Sequence, residues 1–486
     1  MVPLSFSKSH SLLYSPALFC ISQSTLILSI RRCRYFVFFT PMLDNKMKIT
    51  ALDMDARGIG HLQNEDGSVG KVVFVDGALP GELVSFQTYR KKPHWENAQM
   101  TQLHCESSQR TKPKCSYFGL CGGCSMQHLN ADAQVAIKQR VLEDSLWHIS
   151  KVKPATILRP IAGPTWGYRY RARLSVRNVP KKGKVLVGFH EKKSRYVADT
   201  ETCEILPPHV SAMLLPLREL VAKLSIINDL PQIELAVGED VTAMVLRIMR
   251  PFNSADEVLL KEFADQFKVQ WWLQPGGLDS VEIYYPKTPQ LHYLLPEFGI
   301  KMPFRPTDFT QVNHHINRVL VVRALRLLDI QPEERIADLF CGLGNFTLPI
   351  ATIAKQVVGI EGSETLTARA FDNAVVNGLS HKISFSTRNL FAITGDDLLK
   401  LGRFDRYLVD PPRDGAMALC EALLQLSSTE RDFLPKRIVY VSCSPGTLAR
   451  DAGLLVKAGY AMNLAGVVNM FPHTSHVESM AVFDLI

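Results

Sequence analysis

From about residue 309 to its end the chain repeats one unit, a short apolar run, a tight turn and a helical stretch, which leaves few folds open to it. Arg335 to Phe340, Gln356 to Glu361, Lys382 to Phe385, Arg406 to Asp410 and Arg437 to Ser442 read as strands. Strands separated by helices pair in parallel, because a crossover of that length returns the chain to the same edge. The expected architecture is a doubly wound α/β sheet whose ligands gather outside the carboxyl ends of its strands.

The strand ends carry the chemistry. The first runs into Cys341-Gly342-Leu343-Gly344-Asn345-Phe346-Thr347, where two glycines let the backbone approach a ligand closely. A dinucleotide fingerprint would need a third glycine where Thr347 stands. Glu361 closes the second strand, at the position where a carboxylate accepts hydrogen bonds from ribose hydroxyls. Adenosine without pyrophosphate points to S-adenosylmethionine, and Asn345, Asn389 and Asp410 add polar groups at successive strand ends. Cys443 lies just past the fifth strand, a soft nucleophile if positive charge or a helix amino terminus lowers its pKa. Asp410 should be its neighbour, while Cys341 and Cys420 read as packing residues. Glu478 sits beyond His473 and His476, before a closing strand; on its own it reads as a surface glutamate, with a general base as the sharper alternative.

At 486 residues the chain is long enough for three or four domains, and 46% hydrophobic with 21% charged residues is ordinary globular usage. The net charge of +8 is concentrated: residues 151–200 hold 13 basic and 2 acidic side chains. Tyr168 to Arg177 is the densest part, and alternation puts Arg169, Arg171 and Arg173 on one strand face, a row suited to tracking phosphates. Lys48 to about Glu106 alternates in short runs divided by glycine and proline turns, the pattern of a small antiparallel barrel. Val135, Leu142, Leu146 and Ile149 form one apolar helix face. Ten cysteines are too few for a secreted disulfide scaffold, so a reducing, cytoplasmic setting is expected. Cys115, Cys121 and Cys124 cluster, with Cys105 and Cys203 competing as a fourth ligand and iron–sulfur only moderately favoured over zinc. Residues 12–30 are apolar but diluted by serines and Pro16; the expected start is Met42 or Met47, with residues 1–46 an extension and no membrane anchor.

From Met47 to Ile486 the chain resembles the bacterial 23S ribosomal RNA (uracil-5-)-methyltransferases of the RlmD type, within the wider RNA 5-methyluridine methyltransferase family. The resemblance rests on Cys-x5-Cys-Gly-Gly-Cys, Asp308-Phe309-Thr310-Gln311-Val312-Asn313, Asp338-Leu339-Phe340-Cys341-Gly342, Asp410-Pro411-Pro412-Arg413, Val441-Ser442-Cys443-Ser444-Pro445 and Phe471-Pro472-His473-Thr474-x-His476-x-Glu478. It implies a TRAM (OB-like) RNA-binding barrel at 47–106, a central α+β domain at 107–308 and a Rossmann-like methyltransferase domain at 309–486. It further implies a [4Fe-4S] cluster on Cys115, Cys121, Cys124 and Cys203, and S-adenosylmethionine held by Gln311, Phe340, Asn345, Glu361, Asn389 and Asp410. Cys443 would be the nucleophile and Glu478 the proton-abstracting base. The implied partner is 23S ribosomal RNA, with no membrane and no obligate protein partner evident. The alternatives are a transfer RNA (uracil-5-)-methyltransferase and a non-catalytic RNA-binding protein.

Overall fold

Three large sheets, with a two-stranded ribbon His292–Leu295 and Ile300–Pro303 before the last, are found among the described residues of a computed structural model that describes residues 46–64 and 66–486; the expected extension lies outside the described residues save for Lys46. The first contains Lys46–Lys48, Leu83–Lys91, Trp95–Cys105, Val69–Asp76, Gly58–Gln63 and Ala51–Leu52, in that spatial order. Its strands fit the expected barrel. Alternation drives Val73, Val75, Val84 and Ala98 inward, where they pack on Met47 and Ile49. Gly60 is required by a close approach: a Cβ there would stand 2.1 Å from Met47 Sδ. Fully buried Glu82 accepts from Arg110 Nε and Nη2 at 2.6 and 2.7 Å, tying the barrel to the cysteine-bearing segment.

The second sheet runs Glu282–Tyr285, Val269–Gln274, Thr242–Arg247, Gln232–Val237, Arg171–Val179, Lys184–Gly188. Ala172, Leu174 and Val176 face its core, as the alternation requires. The arginine face corrects the expectation of a free phosphate track. Arg169 donates from Nε to the Arg171 carbonyl at 3.0 Å and lies over the Phe189 ring, and Arg171 donates to the carbonyls of Pro306 and Asp308. Arg173 pairs with Glu234 at 2.8 Å, because the register sets Arg173 opposite Glu234. The acidic partner missing from the local sequence comes from the adjacent strand, and Arg177 remains exposed.

The third sheet has the order Ile383–Thr387, Gln356–Glu361, Arg335–Leu339, Arg406–Val409, Arg437–Ser442, Glu478–Leu485, Tyr460–Val468, Thr156–Ile157. Its first five strands are parallel and correspond to the five expected runs; Glu478–Leu485 is antiparallel to both neighbours. Residues preceding the basic strand contribute here too. The helix Ala131–Ser145 buries Val135 and Leu142 in the core of this sheet, and Thr156–Ile157 pairs with its edge. Ile149 departs from the expected helix face and is 56% exposed, because the chain rewinds as a π-turn over Leu146–Ser150.

Candidate active site

At the carboxyl ends of the parallel strands lies a cavity of about 480 Å³. All six expected donor-binding residues line it: Gln311, Phe340, Asn345, Glu361, Asn389 and Asp410. So do Cys443 and Glu478. The turn after the first strand is sharp. Phe340, with φ +64°, and Cys341 both donate their N–H to the Ile360 carbonyl, and the ring of Phe340 meets that of Phe391 at 5.6 Å. Gly342 has φ +53°, with open space where a Cβ would stand. Glu361 is oriented by three backbone N–H groups, Gly342 at 3.1 Å, Gly362 at 2.8 Å and Ser363 at 3.1 Å. Asn389 Oδ1 accepts from Phe391 N at 3.0 Å, leaving its amide nitrogen to the cavity. Asn345 is more committed: Oδ1 accepts from Tyr293 OH and Asn317 Nδ2, each at 2.9 Å, and Nδ2 donates to Asn317 Oδ1 at 3.0 Å.

The reactive end is acidic and dry. Glu478, with 3% exposure, is buried rather than superficial, and burial beside Asp410 pushes its carboxyl well above the usual range. Asp410 is pushed up to about 7 by burial. The Cys443 thiol is pushed up to about 12 by burial and then by the Glu478 and Asp410 carboxylates; Arg413 opposes this only in part. The condition of a thiol lowered by local charge or by the following helix Pro445–Lys457 is not met in the substrate-free protein: desolvation and the neighbouring carboxyls outweigh one guanidinium. Cys420 is buried in an apolar core, as expected of a packing residue, whereas buried Cys341 departs from that expectation and lines the cavity.

Away from this cavity, Cys115, Cys121, Cys124 and Cys203 line one small pocket, while Cys105 is exposed at the end of a barrel strand. Burial and mutual proximity push Cys124 up to about 12 and Cys203 up to about 11. Among the described residues no group of three or more His, Cys, Asp or Glu side chains is gathered tightly enough to hold a single metal ion.

Several contacts had no sequence signal. The loop Arg305 to Gln311 roofs the cavity with Phe309, 71% exposed, Thr310 and Gln311. Asp308 holds that loop: it accepts from Arg305 N at 2.8 Å and pairs with Arg369, on the helix Glu364–Val376, while Arg171 grips the loop's carbonyls from the second sheet. Below the cavity Asp338 is fully buried; one oxygen accepts from Thr347 Oγ1 and the other has no partner. The contacts of Asp308 with Arg369 and of Arg171 with the loop join residues far apart in the chain, which spacing does not reveal.

Residues 298–484 match the family model described as tRNA (Uracil-5-)-methyltransferase. A 23S rRNA (uracil(1939)-C(5))-methyltransferase RlmD of Cupriavidus metallidurans is 66% identical over 442 residues, 91% of this chain and 95% of that protein. The enzyme of that name from Ralstonia pickettii is 63% identical over 442 residues, 90% of this chain and 98% of that one. Among solved structures, a Pyrococcus abyssi tRNA (uracil-54, C5)-methyltransferase in complex with S-adenosyl-L-homocysteine superposes with a TM-score of 0.66 at 21% identity. The match covers 90% of this chain and all of that one, and it shows a shared methyltransferase fold.

Proposed function

The chain belongs to the 23S rRNA (uracil-5-)-methyltransferases of the RlmD type, and on that premise we infer that it methylates C5 of a uridine in 23S ribosomal RNA, with S-adenosylmethionine as donor. One observation carries the reading: donor-binding candidates, a thiol and a buried carboxyl line a single cavity. The relatives are named for uracil 1939, and the equivalent uridine is the proposed target.

Uracil C5 is too electron-poor to displace a methyl group from a sulfonium. Cys443 Sγ adds to C6, and the resulting enolate takes the methyl group at C5, releasing S-adenosylhomocysteine. Glu478 then removes the C5 proton; the electrons of that C–H bond re-form the C5–C6 double bond and the C6–S bond breaks. The thiol proton leaves to solvent before addition, a loss that burial and the neighbouring carboxyls oppose in the substrate-free pocket. Both ring carbons are covered in a stacked helix, so the uridine enters unstacked. Glu361 would bind the ribose of the donor, Phe340 would offer its ring to the adenine, and Gln311, Asn345, Asn389 and Asp410 would supply polar contacts.

Cys115, Cys121, Cys124 and Cys203 are proposed to hold a [4Fe-4S] cluster, a reading supported by the one pocket that all four line. Such a cluster would act as a cross-link between the cysteine loop and the basic segment. The barrel at 47–106 is proposed as the TRAM domain, which with exposed Arg177 would contact RNA phosphates.

The test is a map of 5-methyluridine in ribosomal and transfer RNA after deletion of the gene. Loss at a single 23S site is expected; unchanged 23S RNA with a lost transfer RNA methyl group would move the assignment to the alternative substrate.

A further inference from the structure

We propose that Gln134 and Lys138, which touch neither cavity nor substrate, are positioning residues that set Glu478 for proton abstraction by holding the turn Phe471 to Thr474. The inference rests on the reading of Glu478 as the base. His473 in that turn has φ +63°, a left-handed conformation that a residue with a Cβ keeps only when its surroundings enforce it. The enforcement comes from the helix Ala131–Ser145 and the cysteine loop before it. Gln134 makes a two-sided clamp: Oε1 accepts from His473 N at 2.8 Å, and Nε2 lies 3.1 Å from His473 Nδ1. Lys138, one helical turn on, donates from Nζ to the Phe471 carbonyl and to Asn469 Oδ1, both at 2.8 Å. It is 1% exposed, and its ammonium meets neutral acceptors rather than a carboxylate. Ser125 and Met126, immediately after Cys124, donate their N–H groups to the His473 carbonyl at 2.9 and 3.0 Å.

Two aromatic groups complete the socket: Trp166 stacks on the His473 ring at 3.9 Å, and Tyr168 OH donates to the Pro472 carbonyl at 2.8 Å. From the turn the chain needs only Ser475, His476 and Val477 to reach Glu478, the first residue of its strand. A shift of the turn is therefore passed to the carboxyl over three residues, one of them the buried Val477. Hydrogen bonds that reach such a turn from a separate helix hold orientation, and a misplacement of about 1 Å at a reacting group costs about 10²-fold in rate.

The experiment uses full-length Gln134→Leu, Lys138→Met and Glu478→Gln proteins, a 23S RNA fragment spanning the target and S-adenosylmethionine. It follows methyl transfer in a single turnover, the denaturation-resistant protein–RNA band, and S-adenosylhomocysteine affinity by calorimetry. Expected for Gln134→Leu and Lys138→Met are unchanged affinity, near-normal methyl transfer, and release of product slowed by about 10- to 100-fold with a persistent methylated adduct. Glu478→Gln reports on the underlying reading, since without an adduct there the base assignment itself fails. An adduct in Glu478→Gln, with parental release in both other variants, would overturn the positioning role. So would their joint loss of methyl transfer or of S-adenosylhomocysteine affinity.

Discussion

Cys443 and Glu478 meet across two antiparallel strands: Ser442 pairs with Ser479, so the thiol leaves one strand end at the point where the carboxyl enters the other. The Ser479 hydroxyl donates to the Ser442 carbonyl at 3.3 Å and fixes that register. A sequence separation of 35 residues is thus closed by backbone pairing, which gives the proposed nucleophile and the proposed base a rigid mutual frame.

The same proximity holds the proton on sulfur. Burial, then Glu478, then Asp410 push the thiol up to about 12, and Arg413 pulls it down. Glu478→Gln removes a carboxyl that repels the thiolate once it ionises, so alkylation of Cys443 by iodoacetamide in the RNA-free protein should exceed the parental rate increasingly as pH rises towards 10. Arg413→Ala should slow it. Peptide mass spectrometry of the Cys443 adduct over time checks the order, and the reverse order contradicts the electrostatic account.

Asp338 makes stability fall with pH. Its folded-state pKa is pushed up to about 8 from 3.8 by burial, so between about pH 4 and 8 the native state holds a proton that the unfolded chain has lost. That stabilisation is complete below pH 4 and is lost as pH rises through 8. Asp338→Asn keeps an acceptor for Thr347 and does not ionise. Its Tm relative to the parent should rise steadily from pH 5 to pH 8 in a buffer series, and a pH-independent difference contradicts the assignment.

The Asp308 clasp gives a binding prediction. Arg369→Ala leaves a carboxylate of 4% exposure without its ion partner, a loss near the lower end of about 3–5 kcal/mol because Arg305 N still donates to it. With the roof of Phe309 to Gln311 loosened, S-adenosylhomocysteine affinity should fall about tenfold, the equivalent of about 1.4 kcal/mol. Calorimetry and thermal melts measure both; parental affinity would separate the roof from the donor site.

Among the arginines, Arg177→Ala should reduce the salt dependence of RNA binding by about one unit of slope, as the loss of one phosphate contact does. Arg171→Ala should leave that slope unchanged and lower S-adenosylhomocysteine affinity instead, because its guanidinium is spent on the Pro306 and Asp308 carbonyls. Filter binding at graded potassium chloride distinguishes the two.

The C-terminal sheet was legible because its strands are apolar runs broken by turns, and residues at their ends converge by topology alone. Glu361, Asn389 and Asp410 came to one cavity for that reason, while Gln311, on the roofing loop, was named only through the family resemblance. The arginine face was legible as a face but not in its partners: Glu234 lies on a neighbouring strand, and Asp308 on a loop crossing from another sheet. Local spacing is also silent on burial, so the residues alone could not choose between a surface glutamate and a base at Glu478, nor say whether the condition of a lowered Cys443 pKa is met; burial raises both groups. The clamp on His473 joins residues 339 apart, a relation no periodicity encodes.

The most direct test of the covalent mechanism uses a 23S RNA fragment with 5-fluorouridine at the target, incubated with the protein and S-adenosylmethionine and digested for mass spectrometry. Fluorine cannot leave as a proton, so the account predicts a stable cross-link on the Cys443 peptide carrying RNA and one added methyl group. Normal turnover of uridine RNA, with the fluorinated RNA giving no cross-link or one on another residue, would contradict it.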